Sequence, residues 1–293
     1  MLPSEILKKI KNIHIKTKHL VNAAMAGEYE SVFRGRGMEF EEVREYQPGD
    51  EIRSIDWNVT ARMGTPFVKK YKEERELTVM LVVDVSFSGR FGTVNCFKNE
   101  LAAELAAILA YLAIRNNDKV GLLLFTDRVE KFLPPKKGRS YVWRVIKEVL
   151  SYEPKNKDTN IGVALDFLNK VLDRKAICFL ISDFLTSGYE KSLRLTGKKH
   201  DLISVTISDP KETALPEIGI MEMEDAETGE NILIDTADYS FRKGFDLVVK
   251  NEIAQRSSLF RSINIDTINI RTDSSYIFPI MKFFRTREKR FRG

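Results

Sequence analysis

A regular alternation of short apolar runs with longer amphipathic segments begins at Leu77, and it constrains the fold more than any other feature of the sequence. The apolar runs are Leu77–Asp84, Lys119–Thr126, Ala176–Ser182 and Leu202–Ile207. The segments with helical spacing are Phe97–Leu112, Tyr141–Leu150, Ile161–Leu172 and Glu190–Thr196. A strand that is apolar over its whole length is buried on both faces, and strands that alternate with helices form a parallel sheet covered on both sides. The sequence therefore predicts an α/β fold with a doubly wound, mostly parallel sheet.

The predicted sheet domain spans residues 76–272, and the segments on either side of it differ in composition. Residues 1–75 form an N-terminal extension, in which a basic amphipathic helix begins at Ser4 and frequent glycines and charges follow from Gly27. Such a composition is typical of strands and loops. Residues 273–293 form a basic C-terminal tail. Within the sheet domain, the remaining elements are predicted at Val129–Leu133 (an antiparallel strand), Ile218–Met223, Asn231–Asp235, Tyr239–Phe260 (a helix) and Thr267–Ile270.

Composition narrows the classes of protein that remain. The 47 Lys and Arg residues exceed the 42 Asp and Glu residues only enough for a net charge of +5, which is a weak signal for nucleic-acid binding. Cys96 and Cys178 lie in apolar segments and cannot build a disulfide framework, so we expect reduced core residues in a reducing compartment. No apolar run approaches the roughly 18 residues of a membrane-spanning helix. We expect a cytoplasmic protein, with peripheral contact to a membrane left open.

Oxygen-bearing side chains follow two of the predicted strands. Asp84, Ser86 and Ser88 come after the first apolar strand, Asp183 follows the third, and Thr159 precedes a helix. Because the carboxyl ends of parallel strands meet at one edge of the sheet, we expect these residues to converge there. Carboxylates and hydroxyls without histidine or cysteine suit Mg²⁺, with Mn²⁺ as a substitute, and disfavour zinc. The alternative is that the carboxylates cap helices and the hydroxyls satisfy backbone groups.

The same five residues resemble the metal-ion-dependent adhesion site of von Willebrand factor A domains. That pattern is Asp-x-Ser-x-Ser, then a distant Thr and a distant Asp, and it maps onto Asp84, Ser86, Ser88, Thr159 and Asp183. The resemblance implies a von Willebrand A-like, Rossmann-type sheet. It also implies that the two serines ligate Mg²⁺ directly, that the threonine and the aspartates do so directly or through water, and that a carboxylate of a protein ligand completes the octahedron.

A second pattern lies upstream of the sheet. Its pieces are Arg34-Gly35-Arg36-Gly37-Met38-Glu39-Phe40, Arg44-Glu45-Tyr46-Gln47-Pro48-Gly49-Asp50, Arg53-Ser54-Ile55-Asp56-Trp57, Ala61-Arg62 and Glu73-Glu74-Arg75. This is similar to the signature of bacterial domain-of-unknown-function 58 proteins, in which it immediately precedes an A-type domain. The resemblance implies two partners, namely a MoxR-type AAA+ ATPase and an unknown client protein that the pair matures in a chaperone-like way. Since the chain has no GxxxxGK[ST] phosphate loop, it is not itself the ATPase.

The charges of this signature permit two interpretations. Asp50, Arg53, Asp56 and Arg62 alternate in sign around Trp57. Such a set can form a hydrogen-bonded charge network that anchors the extension, which is the interpretation we favour. It can also form a surface on which a partner docks.

The sequence therefore predicts a non-catalytic, Mg²⁺-dependent protein-interaction module, and two alternatives stay open. The first is a Mg²⁺-dependent phosphohydrolase with Asp84 as nucleophile, which is disfavoured because Ser86 stands where an acid/base carboxylate is needed. The second is binding of nucleic acid or anionic lipid through the tail, where phenylalanines interleave the charges. The residues concerned are Lys282, Phe283, Phe284, Arg285, Arg287, Lys289, Arg290, Phe291 and Arg292.

Overall fold

The structure is a computed structural model that describes residues 8, 10–13, 17, 20–21, 29, 32–33, 38–73, 76–90, 97–154, 158–224 and 231–292. It divides into two compact units, one of Phe33–Leu77 and one that joins Met1–Val32 with Thr78–Gly293. This division differs from the predicted one, since residues 1–32 and residues 273–293 belong to the unit that contains the sheet. The predicted core residue Cys178 is a buried free cysteine, while Cys96 lies outside the described residues.

The smaller unit is a hairpin with a short helix in its connection. Strands β1 (Met38–Glu45) and β2 (Phe67–Glu73) pair antiparallel, and helix α1 (Trp57–Met63) lies between them in sequence. Asp56 begins the helix because its carboxylate accepts the N–H groups of two residues in the first turn. Gly64 ends it with φ 77°, a left-handed conformation that glycine adopts without strain. Helix α1 is an addition to the strands and loops that the sequence predicts.

The larger unit contains the central sheet. The strands after β2 are β3 (Thr78–Asp84), β4 (Lys119–Phe125), β5 (Val129–Lys136), β6 (Ile177–Ser182), β7 (Asp201–Ser208), β8 (Ile220–Glu224), β9 (Asn231–Asp235) and β10 (Asp266–Arg271). Six of them form a sheet in the order β10-β7-β6-β3-β4-β5, in which only β5 runs antiparallel to its neighbour. Strands β8 and β9 pair with each other in a separate antiparallel hairpin. The order matches the doubly wound topology, so the predicted fold class is confirmed.

Helices cover both faces of this sheet. They are α2 (Lys98–Arg115), α3 (Arg139–Ser151), α4 (Ile161–Val171), α5 (Glu190–Lys199), α6 (Pro210–Thr213), α7 (Tyr239–Ser262) and α8 (Ile277–Arg292). Met80 and Val82 of β3 pack in one core with residues of α4 and α5. Their neighbours Val79 and Leu81 are equally buried and point to the opposite face, since side chains alternate along a strand. Strand β3 therefore lies at the centre of the fold, as its apolar sequence predicts.

The predicted basic tail is helix α8, which packs on the sheet. Phe283 and Phe284 are buried, and the guanidinium of Arg287 is 2% exposed between two carboxylates. Arg287 bonds to Asp201 at the start of β7 and to Asp266 at the start of β10, the latter at 2.9 Å. The segment predicted as a basic tail packs as a helix because apolar residues recur at helical spacing among its charges. No helix among the described residues is both long and apolar enough to cross a membrane.

Candidate metal site

The candidate site lies where the strand order of the sheet reverses. Strands β3 and β6 are parallel neighbours at the centre, with Val83 opposite Ile181. Asp84 is the last residue of β3, and Asp183 directly follows β6. Doubly wound sheets bind ligands in the crevice outside the carboxyl ends of the strands at this position. The predicted convergence of the two aspartates therefore follows from the topology.

A tight turn after β3 presents two hydroxyl groups side by side. Asp84 Oδ1 accepts the backbone N–H of Ser86 at 3.0 Å, which turns the chain at the strand end. The hydroxyl oxygens of Ser86 and Ser88 lie 3.0 Å apart. The hydroxyl of Ser182, the last residue of β6, donates to Asp84 Oδ2 at 2.7 Å. Both oxygens of Asp84 are thus held in place, and each keeps a lone pair for a further bond.

Asp183 is held by its own turn and by a lysine that the sequence analysis missed. Its Oδ1 accepts the backbone N–H of Leu185 at 3.2 Å, and its Oδ2 accepts from Lys98 Nζ at 2.7 Å. Lys98 Nζ also lies 2.5 Å from Glu212 Oε1. Lys98 begins α2 with a side chain that is only 3% exposed. The sequence does contain one indication of a structural role for Glu212. Asp209-Pro210-Lys211-Glu212 is a capping-box pattern, and the structure contains that capping box.

Thr159 lies at the same edge of the sheet, but it does not line the site cavity. Its carbonyl oxygen accepts the hydroxyl of Thr186 at 3.1 Å, which ties it to the loop after Asp183. The next residue, Asn160, donates its N–H to the carbonyl of Thr126 at 2.9 Å and caps α4. The structure therefore brings together Asp84, Ser86, Ser88 and Asp183, and it ties the backbone of Thr159 to the loop that follows Asp183.

The contacts of the two aspartates are the backbone-satisfying bonds of the alternative interpretation, whereas those of the two serines are not. Asp84 and Asp183 each accept an N–H from the residue two positions on, which is a turn bond at the end of a strand. The hydroxyls of Ser86 and Ser88 bond to each other. The site is thus a set of oxygen atoms held by turns at a strand edge.

Burial and charge both act on the carboxylate of Asp84. Burial, and then the charge of Asp183, raise the pKa of Asp84 to about 6, against hydrogen bonds from Ser86 and Ser182 that act to lower it. Burial acts to lower the pKa of Lys98, but Asp183 and Glu212 more than offset this and raise it. Lys98 is therefore a cation, and no positively charged side chain is among the groups that shift the pKa of Asp84.

The hydroxyl and carboxylate oxygens at this edge are of the ligand types that Mg²⁺ takes. A cavity of about 20 Å³ opens beside Asp84, Ser88, Lys98 and Asp183, which is room for one water-sized species. Adjacent ligands of an octahedral Mg²⁺ site lie about 2.9 Å apart, close to the separation of the two serine hydroxyls. No cluster of three or more His, Cys, Asp or Glu side chains that could hold a metal occurs in the described part of the chain. The site is accordingly poor in carboxylates, and hydroxyls and water would supply most of its ligands.

The charged residues of the upstream signature do not form the predicted network. Asp50 pairs with Arg44 through two bonds of 2.8 and 2.7 Å. Asp56 caps α1 and lies 3.4 Å from Lys69. Trp57 is 67% exposed. Local partners satisfy the two aspartates, because a turn and a helix start are nearer than the other charges of the signature.

Comparisons with known proteins agree with the signature. A family model described as "Protein of unknown function DUF58" matches residues 42–255 of this chain. An uncharacterized protein of Mycobacterium tuberculosis is 28% identical over 285 residues, which are 96% of this chain and 89% of that protein. The resemblance to domain-of-unknown-function 58 proteins is thereby confirmed.

Two solved structures are among those to which this chain is similar. An aerotolerance-related membrane protein of Bacteroides fragilis has a TM-score of 0.48 at 16% identity, over 73% of this chain and 99% of that chain. Proximal thread matrix protein 1 of the mussel byssus, with a zinc-occupied MIDAS motif, has a TM-score of 0.36 at 16% identity, over 45% of this chain and 38% of that chain.

Proposed function

We propose that this chain, which belongs to the protein family of unknown function DUF58, is a non-catalytic module that binds another protein through a divalent metal ion. Asp84, Ser86 and Ser88 would hold Mg²⁺, or Mn²⁺ in its place, and Asp183 would hold its water ligands, whereas Thr159, which does not line the cavity, is given no ligand. The observation that carries the proposal is the pair of serine hydroxyls 3.0 Å apart beside the buried carboxylates. When bound, the cation supplies a position that a carboxylate of the partner can take.

Each residue of the site has a separate task in this proposal. Asp84 is fixed by Ser86 and Ser182, so its free lone pairs point in set directions. The neutral serines leave a bound cation with most of its charge, which favours an acidic group on the partner. Asp183 and Lys98 line the same cavity as Asp84 and Ser88. A partner with an exposed Asp or Glu is therefore the class of ligand that this chemistry recognises.

The residue two positions after Asp84 favours a binding role over an aspartyl-phosphate mechanism. An aspartyl-phosphate mechanism needs a second carboxylate two residues after the nucleophile, and that residue is Ser86. The hydroxyl of Ser86 cannot act as the acid that protonates a leaving group. Binding of nucleic acid through α8 is likewise unsupported, because the phenylalanines proposed for base stacking, Phe283 and Phe284, are buried.

The family resemblance supports a MoxR-type AAA+ ATPase as the partner. In that arrangement the ATPase supplies the energy of nucleotide hydrolysis, and this chain presents the metal-dependent contact to the ATPase or to an unknown client protein. The pair would mature other proteins in a chaperone-like way.

A thermal-shift experiment tests the metal site. Millimolar Mg²⁺ should raise the melting temperature of the EDTA-treated protein, since a ligand at about 100 times its dissociation constant adds roughly 2.7 kcal/mol to the free energy of unfolding. Ser86→Ala should abolish the shift, because it removes one of the paired hydroxyls. Ser258→Ala, at an exposed position on α7, is the control and should keep the shift. Identical melting curves of the wild type with and without Mg²⁺ would refute the site.

A further inference from the structure

Lys98 brings a positive charge into the wall of the candidate metal site. Its ammonium lies 2.7 Å from Asp183 Oδ2 and 2.5 Å from Glu212 Oε1, with almost no exposure to solvent. The same lysine lines the small cavity together with Asp84 and Ser88. An ammonium in such a dry position is stable only while both carboxylates face it. Lys98 and a bound cation would therefore share one carboxylate, Asp183, and one small space.

The charges of the cluster leave room for a divalent ion. The carboxylates of Asp183 and Glu212 face the ammonium of Lys98, and the carboxylate of Asp84 lines the same cavity as Lys98 and Asp183. When all are ionised, two negative charges are uncompensated, which is the charge of one Mg²⁺ ion with its sign reversed. The ammonium of Lys98 neutralises one carboxylate, so a bound cation meets less negative charge than the three carboxylates alone would supply.

Glu212 is fixed by bonds of its own, and it fixes Lys98 in turn. Glu212 Oε2 accepts the backbone N–H of Asp209 at 3.0 Å in the capping box of α6. Asp209 is fully buried, and its Oδ2 accepts the hydroxyl of Thr272 at 2.6 Å. A glutamate held at both oxygens draws the ammonium partly away from Asp183.

We propose that Lys98 is a built-in competitor that weakens the binding of divalent cations at this site, and that Glu212 limits the competition by sharing the ammonium. The inference rests on the proposed function and adds a regulation to it. Because the lysine repels the cation, the metal-loaded site is favoured when a carboxylate of the partner adds negative charge. By linkage, partner and metal then increase each other's affinity.

Isothermal titration of Mg²⁺ and Mn²⁺ into the EDTA-treated full chain tests the proposal. Lys98→Met should bind both ions about tenfold more tightly than the wild type or better, because it removes a like charge a few ångströms from the cation. Glu212→Gln should bind them more weakly, because the whole ammonium charge then falls on Asp183. Lys211→Met removes an exposed lysine next to Glu212 and should leave the affinity unchanged.

A double variant, Lys98→Met with Glu212→Gln, guards against loss of folding in the single one, because it leaves no unpaired glutamate. It should also bind more tightly than the wild type. If the wild type binds the ions and both lysine variants bind them equally well or less tightly, Lys98 does not compete and the inference is overturned. If neither the wild type nor any variant binds either ion, the proposed function itself fails.

Discussion

At the scale of single residues, His200 shows how a buried titratable group affects stability away from the site. Its Nδ1 accepts the backbone N–H of Ala176 at 3.3 Å, while its Nε2 is buried without a hydrogen-bond partner. Burial, and then the charges of Lys199 and Lys175, lower the pKa of His200 from 6.5 to about 4. The folded protein therefore keeps this histidine neutral at a pH at which the unfolded chain protonates it.

The consequence is a loss of stability as the pH falls. The unfolded state binds more protons than the folded state between pH 6.5 and about 4, so the contribution of His200 is complete above pH 6.5 and declines below it. At pH 5 this loss is about 2 kcal/mol in the free energy of unfolding. Urea denaturation at pH 5 and pH 7 measures it.

His200→Asn is the matched variant, because an amide oxygen can still accept the N–H of Ala176 and does not titrate. Other groups titrate alike in both chains, so the difference between the two pH profiles isolates His200. If the free energies of unfolding of the wild type and His200→Asn differ by the same amount at pH 5 and at pH 7, the assignment to His200 is contradicted.

Most residues of the candidate site can be predicted from the sequence, and the others cannot, for a physical reason. Asp84, Ser86 and Ser88 are contiguous, and Asp183 follows a recognisable strand, so local patterns predict them. Lys98 and Glu212 are 114 positions apart, and no spacing connects them. Their pairing depends on how the start of α2 packs against the end of β7, which only the folded chain determines.

At the scale of elements, the packing of β4 against β3 depends on a glycine. Gly121 stands opposite Met80 in the ladder, and a Cβ there would overlap the Met80 sulfur and lie 3.0 Å from the carbonyl oxygen of Leu133. We expect Gly121→Ala to lower the free energy of unfolding by about 1–3 kcal/mol, as overpacking of a core does. The midpoint of urea denaturation measures the change.

Gly244→Ala is the control for this prediction. Gly244 lies inside α7, and nothing stands within 4 Å of the position its Cβ would take. Alanine should stabilise that helix by about 0.5–1 kcal/mol. The two substitutions should therefore shift the midpoint in opposite directions, and a stabilising Gly121→Ala would contradict the packing described for β3, β4 and β5.

The elements were predictable wherever an apolar pattern was strong. The strands of the sheet and helices α2 to α5 lie within a few residues of their predicted positions because burial on the sheet imposes a clear period. Residues 273–293 are predicted as a basic tail rather than as helix α8, because their many basic residues obscure the helical spacing of Ile280, Phe283, Phe284 and Arg287. Helix α1 is too short to show a period, although Asp56 and Gly64 mark its two ends.

At the scale of the whole molecule, the topology determines where the chemistry lies. The order of the strands puts the ends of β3 and β6 side by side at the centre of one edge, so residues 84–88 and 183 meet without any local sequence relation. The turns at these ends hold oxygen atoms, and Lys98 adds a cation of its own. The account's central claim is that this edge binds another protein through a metal ion.

The most direct test of that claim is a capture experiment. The chain is immobilised, and a purified MoxR-type AAA+ ATPase from the same organism is passed over it. The comparison is between the wild type and Ser86→Ala, both in Mg²⁺ and ATP, since removal of Mg²⁺ would also disable the ATPase. Ser258→Ala controls for the loss of a hydroxyl. The account predicts that the wild type and Ser258→Ala retain the ATPase and that Ser86→Ala does not. Equal retention of the ATPase by Ser86→Ala and by the wild type would contradict the claim, and no retention by the wild type would exclude the ATPase as the protein that this edge contacts.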